Sequence, residues 1–192
     1  MLILVTIVLA VMFLGYVYTG VPFVPTPPHV TQAMISMVGK EWSGQHTVID
    51  LGAGDGRVLE AIKRQHPDIT AIGYELSPAV WLIGKLRSML MRSGVQMRLG
   101  SMMKADLHDA DVIVVYLFPK SMCEIEKMLD RSLRPGTIVL SHTFAFTGRE
   151  PQITQRASRF GGMIGVYLYR WNTGTPHPSD QHDVIRKDNN ER

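Results

Sequence analysis

The sequence predicts an α/β fold: a doubly wound, mostly parallel sheet ending in an antiparallel hairpin, preceded by one N-terminal transmembrane helix. Three observations predict it. Short apolar, β-branched runs alternate with helical stretches between residues 47 and 141, the pattern of parallel strands joined by crossover helices. Two further β-like runs then flank Gly161-Gly162, as in a hairpin. Ahead of all this, residues 1–39 contain no Asp, Glu, Lys or Arg.

Leu2–Leu14 reads LILVTIVLAVMFL, and Gly15–Tyr18 extends the run. As a helix it rises about 26 Å at 1.5 Å per residue, against a hydrocarbon core of ~30 Å. Tyr16 and Tyr18 fall where an interfacial aromatic belt lies. A signal peptide needs a basic leader and a small-x-small cleavage site, and neither is visible; a buried core helix is the other alternative. Every Lys and Arg lies after the run, from Lys40 onward. The positive-inside rule therefore places the folded part on the cytoplasmic side. The lack of an Arg-rich presequence favours a bacterial inner membrane over a mitochondrial one. We thus expect a membrane anchor over residues 1–19.

Residues 20–30, GVPFVPTPPHV, carry four prolines and cannot continue a helix. They form an extended connector, with Pro28 opening the next helix. The folded domain spans 31–171. The polar tail 172–192 has little to bury and is expected to be disordered.

Within the domain, Thr47–Leu51 (TVIDL) reads as a strand and Gly56–Gln65 as a helix with Val58, Leu59 and Ile62 on one face. Ile69–Glu75 is a second strand. Pro78–Arg92 is a helix whose apolar spacing places Ala79, Leu82, Ile83, Leu86 and Leu90 together on what should be its core face. Gln96–Leu99 is a short strand, and Asp111–Tyr116 suits a central parallel one. Lys120–Leu133 is a helix with Met122, Ile125, Met128, Leu129 and Leu133 inward, and Thr137–Ser141 is a buried strand. Gln152–Arg156 and Gly165–Trp171 make the hairpin.

Composition narrows the function. Of 192 residues 45% are hydrophobic and 19% charged, with a formal net charge of +3. That balance excludes a disordered or fibrous chain and gives no support to nucleic-acid binding. Cys123 is the only cysteine, so neither an intrachain disulfide nor a thiolate metal site is available. The seven histidines show no metal-ligand spacing, and no metal is expected; His142 follows a buried strand and can approach a site at its end.

The chemistry sits in the first strand-to-helix turn, Asp50-Leu51-Gly52-Ala53-Gly54-Asp55-Gly56-Arg57. Open α/β sheets bind ligands beyond the carboxyl ends of their strands. The glycines stand at 52, 54 and 56, whereas a dinucleotide fingerprint puts its third glycine one position later. Asp50 would repel a pyrophosphate and suits a ligand carrying an ammonium and a sulfonium. Glu75 ends the next strand, where a carboxylate accepts hydrogen bonds from ribose hydroxyls. Acidic strand end, spaced glycines and second carboxylate together point to S-adenosylmethionine.

DLGAGDGR (50–57) with GYE (73–75) resembles the class I S-adenosylmethionine-dependent methyltransferases. PFVPTPPH (22–29) after a single apolar segment, followed by VIDLGAGDGRVLEAIKR, GYELSP and VVYLFPKSM, resembles one small family. It is the family of the ATP synthase c-subunit and adenine nucleotide translocase lysine methyltransferases. The resemblance covers about residues 20–145 and implies a Rossmann-like methyltransferase fold. It also implies that Asp50, Gly52 and Gly54 line the methionine end, that Asp55 belongs to the cofactor site, that Glu75 holds the ribose, and that 24–27 closes over the cofactor with Thr26 bonding its carboxylate. Ser101, with Asp106 further on, falls where relatives read the adenine. Tyr116-Leu117-Phe118-Pro119 stands where amino methyltransferases carry an Asn/Asp-Pro-Pro-aromatic motif, here without the acidic or amide head. Tyr116 and Pro119 would wall the target amine.

The implied activity is a membrane-anchored protein-lysine N-methyltransferase with a lysine-bearing, membrane-associated protein as substrate. A methyltransferase of a lipid or lipophilic small molecule fits the same features, and a non-catalytic membrane adaptor on this fold is the reading from another class. The anchor would confine enzyme and target to one two-dimensional pool.

Overall fold

A computed structural model describes residues 15, 20, 23–38, 46–159 and 162–172. The predicted anchor, apart from Gly15, and the predicted tail, apart from Asn172, lie outside the described residues. Among the described residues no helix is long and apolar enough to cross a membrane.

Helix α1 (Pro28–Val38) opens with Pro28, as the connector predicts, and buries Val30, Ala33, Met34, Ile35 and Val38. Then follow β1 (Thr47–Leu51), α2 (Arg57–Gln65), β2 (Thr70–Glu75), α3 (Pro78–Leu90), β3 (Gln96–Leu99), a short 3-10 turn (Met102–Lys104), β4 (Val112–Val115), α4 (Pro119–Ser132), β5 (Ile138–His142), β6 (Ile153–Arg159) and β7 (Gly162–Arg170). Seven strands form one sheet in the order β3-β2-β1-β4-β5-β7-β6. The first five are parallel, and β7 runs antiparallel to both β5 and β6.

The central strands are buried on both faces, as crossover helices require. In β1, Val48 joins the layer beneath α1 and α2, while Ile49 and Leu51 join the layer beneath α4. The helix faces predicted for α2 and α4 are the buried ones. The chain order reverses at β1, which is flanked by β2 and β4. Such a switch point opens a crevice at the carboxyl ends of the strands.

One expectation of the fold is overturned. Helix α3 buries Val80, Gly84 and Ser88 and leaves Leu82, Ile83, Leu86 and Leu90 exposed. The predicted core face therefore points outward. The reason is a close approach: a Cβ built on Gly84 would stand 2.7 Å from the Met97 side-chain methyl and 3.1 Å from the Gly54 carbonyl oxygen. Only the small-residue face fits against the glycine turn.

Arg149, in the loop before β6, has a buried side chain. Its guanidinium pairs with Asp130 and lies 3.4 Å from Glu126. It also stacks 4.1 Å over the Trp171 ring, whose Nε1 donates to Asp130 at 3.1 Å.

Candidate active site

The crevice holds a cavity of about 280 Å³. It runs along the strand ends from Ser101 after β3, past Glu75 and Asp50, to Tyr116 after β4 and His142 at the end of β5.

The glycine turn is shaped by backbone geometry. Gly52, Gly54 and Gly56 have φ of 99°, 57° and 76°, values that strain a residue with a Cβ. At Gly54 a Cβ would lie 2.6 Å from the Phe23 ring, so Phe23 covers the turn from the connector. The turn is fastened to β2 as well. Glu75 accepts from the Gly54 N–H at 3.0 Å and from the Ser77 N–H at 2.8 Å.

Electrostatically the cavity is built for a cation. Asp50 is buried, and burial together with the charges of Glu75 and Asp55 pushes its pKa up to about 8. Every influence on it acts in the same direction, and a positive ligand group would reverse that. Burial also raises Glu75, against the backbone hydrogen bonds that hold it down. Asp55 lines the cavity, but its carboxylate is taken by Arg57, 2.6 Å away.

Thr26 is buried and lines the cavity together with Phe23, Val24 and Pro25 of the connector. Ser101 lines the wall too, its Oγ accepting from the Met103 N–H at 3.3 Å. Asp106 is exposed and occupied by the His108 N–H. Of the two candidates beside the third strand, only Ser101 borders the cavity. Pro119 does not border it: it opens α4 and is exposed.

At the far end the lining turns aromatic and neutral. Tyr116, Phe118, His142 and Phe144 meet there. The His142 and Tyr116 rings lie 3.9 Å apart, tilted by 40°. His142 is 1% exposed, and neither ring nitrogen has a hydrogen-bond partner among the described residues. Burial, then the nearby His29, lowers its pKa to about 4, so the imidazole is neutral at neutral pH. Burial likewise raises the Tyr116 phenol, against its hydrogen bond with Thr143. Thr143 has a φ of 71°, a strained value for a β-branched residue. Such strain collects at functional sites; here the bend lets His142 and Phe144 both line the cavity.

Residues 50–153 match the family model of the ANTKMT methyltransferase domain. This chain belongs to that family. The chain is 29% identical over 153 residues to a protein-lysine N-methyltransferase of Saccharolobus islandicus, covering 78% of this chain and 92% of that protein. It is also 29% identical over 129 residues to the human ATP synthase c-subunit lysine N-methyltransferase, covering 65% and 52%. It thus spans about half the length of that human relative. Among solved structures, an RNA methyltransferase from Salinibacter ruber in complex with S-adenosyl-L-homocysteine superposes with a TM-score of 0.69. Identity to it is 25%, with 80% of this chain and 99% of that one covered.

The chain is an S-adenosylmethionine-dependent methyltransferase. Its crevice fits that donor: a buried carboxylate that lacks a stabilising positive charge, and a glycine cradle that a Cβ would fill. Phe23, Ser77 and Phe144 also line the cavity, and sequence reasoning missed them. Phe144 and Ser77 sit just past strand ends, which is the one sequence signal that marks them.

Proposed function

We propose that the chain is a protein-lysine N-methyltransferase acting on a membrane-associated protein. The observation that carries the reading is the neutral aromatic end of the cavity, placed beside a donor end lined with carboxylates. Two relatives bear lysine-methyltransferase names, which supports the same acceptor.

Asp50, Glu75, Thr26 and the glycine turn would hold S-adenosylmethionine, which supplies an electrophilic methyl group on sulfonium when bound. The remaining work is positioning. An acceptor lysine must arrive uncharged, although its reference pKa is near 10.4. Tyr116, Phe118 and Phe144 offer the side-chain ammonium no counter-charge, and an apolar lining favours the free amine. His142 is neutral and has a ring nitrogen free to accept one amine N–H, which leaves the lone pair available for attack. Holding the reacting atoms about 3–3.5 Å apart and aligned supplies on the order of 7–11 kcal/mol. No metal or covalent intermediate is called for.

The membrane half rests on the uncharged, apolar N-terminal stretch, of which Gly15 lines the cavity. In this reading the folded domain works on the cytoplasmic face.

The test is to incubate the full chain with bacterial membranes and methyl-labelled S-adenosylmethionine, then separate protein, lipid and RNA. Label in a protein band, released as methyl-lysine on hydrolysis, upholds the proposal. Label in lipid or in RNA overturns the lysine acceptor.

A further inference from the structure

We propose that the outer face of α3 lies against a phospholipid bilayer, so that the enzyme rests on the membrane by this helix. The proposal extends the membrane half of the reading above.

Leu82, Ile83, Leu86, Met89 and Leu90 are all exposed, Leu90 to 83%. At 100° per residue they fill one continuous arc about 120° wide. Single exposed leucines are ordinary, but a contiguous apolar patch marks a binding surface. These residues have no inward alternative. The opposite face carries Gly84, which approaches the glycine turn closely, and Ser88, whose hydroxyl donates to the Val95 carbonyl at 2.9 Å. The large side chains therefore point outward by construction.

Charge selects the partner. No acidic residue lies on α3. Lys85 and Arg87 fall about 40° outside the two edges of the apolar arc, again at 100° per residue. Lys85 is exposed, and Arg87 is partly exposed while bonded to Glu60 at 2.7 Å. Arg92, also exposed, follows the helix. An apolar stripe flanked by cations is the pattern of an interfacial helix, with basic heads at the lipid phosphates and stems along the acyl boundary.

Position agrees. Gly15 lies within the uncharged stretch, and a Cβ built on it would stand 3.1 Å from Ser77 Oγ and 3.8 Å from Val80 Cγ2. Those residues begin α3. Gly15, which belongs to the most apolar stretch of the sequence, thus sits at the first turn of this helix. Ser77 and Val80 also line the cavity, so the active site opens near the level of a membrane-embedded acceptor.

The test uses the full chain carrying Cys123→Ser, with an environment-sensitive NBD label on Leu86→Cys. The control label is on Lys127→Cys, an exposed site on α4 in the other helix layer. The probe membrane is vesicles of phosphatidylcholine with phosphatidylglycerol, with nitroxide lipids as quenchers. A blue shift and quenching by headgroup-proximal nitroxide at position 86, absent at 127, uphold the proposal. Flotation of the chain with vesicles while label 86 stays water-like overturns it and leaves the membrane reading standing. Failure to float overturns both. A blue-shifted label without vesicles also overturns it: concentration dependence would assign the face to a second copy, and independence to the chain's own N-terminal segment.

Discussion

The Glu75 carboxylate fastens the glycine turn of β1 to the end of β2, with Oε2 accepting the Gly54 N–H at 3.0 Å and Oε1 accepting the Ser77 N–H at 2.8 Å. The residue that would hold the ribose therefore also fixes the loop on which the donor would lie. Glu75→Ala should remove both functions. Charge-assisted hydrogen bonds contribute about 1.5–3 kcal/mol each, so donor affinity should fall roughly 10- to 150-fold for each bond to the ribose that is lost. Calorimetric titration with S-adenosylmethionine measures this; an unchanged affinity would contradict the assignment.

Asp50 makes both stability and donor binding pH-dependent. Its folded pKa of about 8 lies above the ordinary value of 3.8. Between those values the folded chain keeps a proton that the unfolded chain releases, so this group's contribution to stability is lost as pH rises from about 4 to 8. Asp50→Asn should flatten that decline in ligand-free thermal melts. A bound ligand cation favours the carboxylate, so binding expels the proton below pH 8. Donor affinity should then tighten by up to about tenfold per pH unit toward 8, and the Asp50→Asn substitution should abolish the slope.

His142 should separate catalysis from binding. It sits at the aromatic end, beyond the carboxylates. His142→Phe preserves the ring packing against Tyr116 and removes the acceptor nitrogen. Donor affinity should stay within about twofold, while methyl transfer falls roughly 100-fold, the scale of a misplaced reacting group. His142→Gln, which retains an acceptor, should recover part of the rate. Equal losses in both variants, with melting points also lowered, would mean that the residue is structural.

How much of this is legible in the sequence depends on the range of the interactions involved. β1 and its turn can be read directly, because an apolar run, a terminal Asp and spaced glycines are local and leave the backbone few choices. Glu75 follows from the same logic one strand later. The face of α3 is misread for a specific reason. Periodicity tells which residues share a face, but not which face is buried. Gly84 and Ser88 decide that by packing against the Gly54 turn and β3, thirty residues away in one direction and several in the other. His142 and Phe144 join the cavity only because β5 lies next to β4, a pairing that no local pattern records. Pro119 is drawn to the site by its neighbours in the motif, whereas its fixed φ places it at the start of α4.

Arg149 shows the same limit in the charged residues and gives the last prediction. In sequence it is one of several scattered arginines; in the fold it is the cation shared by Glu126 and Asp130 beneath the Trp171 ring. Removing one partner of a buried ion cluster leaves the others without compensation, at a cost of about 3–5 kcal/mol. Arg149→Met should therefore lower the melting temperature by roughly 6–20 °C, taking 2–4 °C per kcal/mol for a chain of this size. The residue lies outside the cavity lining, so donor affinity of the folded fraction should be unchanged. Adding Glu126→Gln and Asp130→Asn should restore part of the loss, since the buried charges disappear with their partner. A single variant as stable as the parent would show that the cluster contributes nothing to holding α4 against the C-terminal end of the sheet.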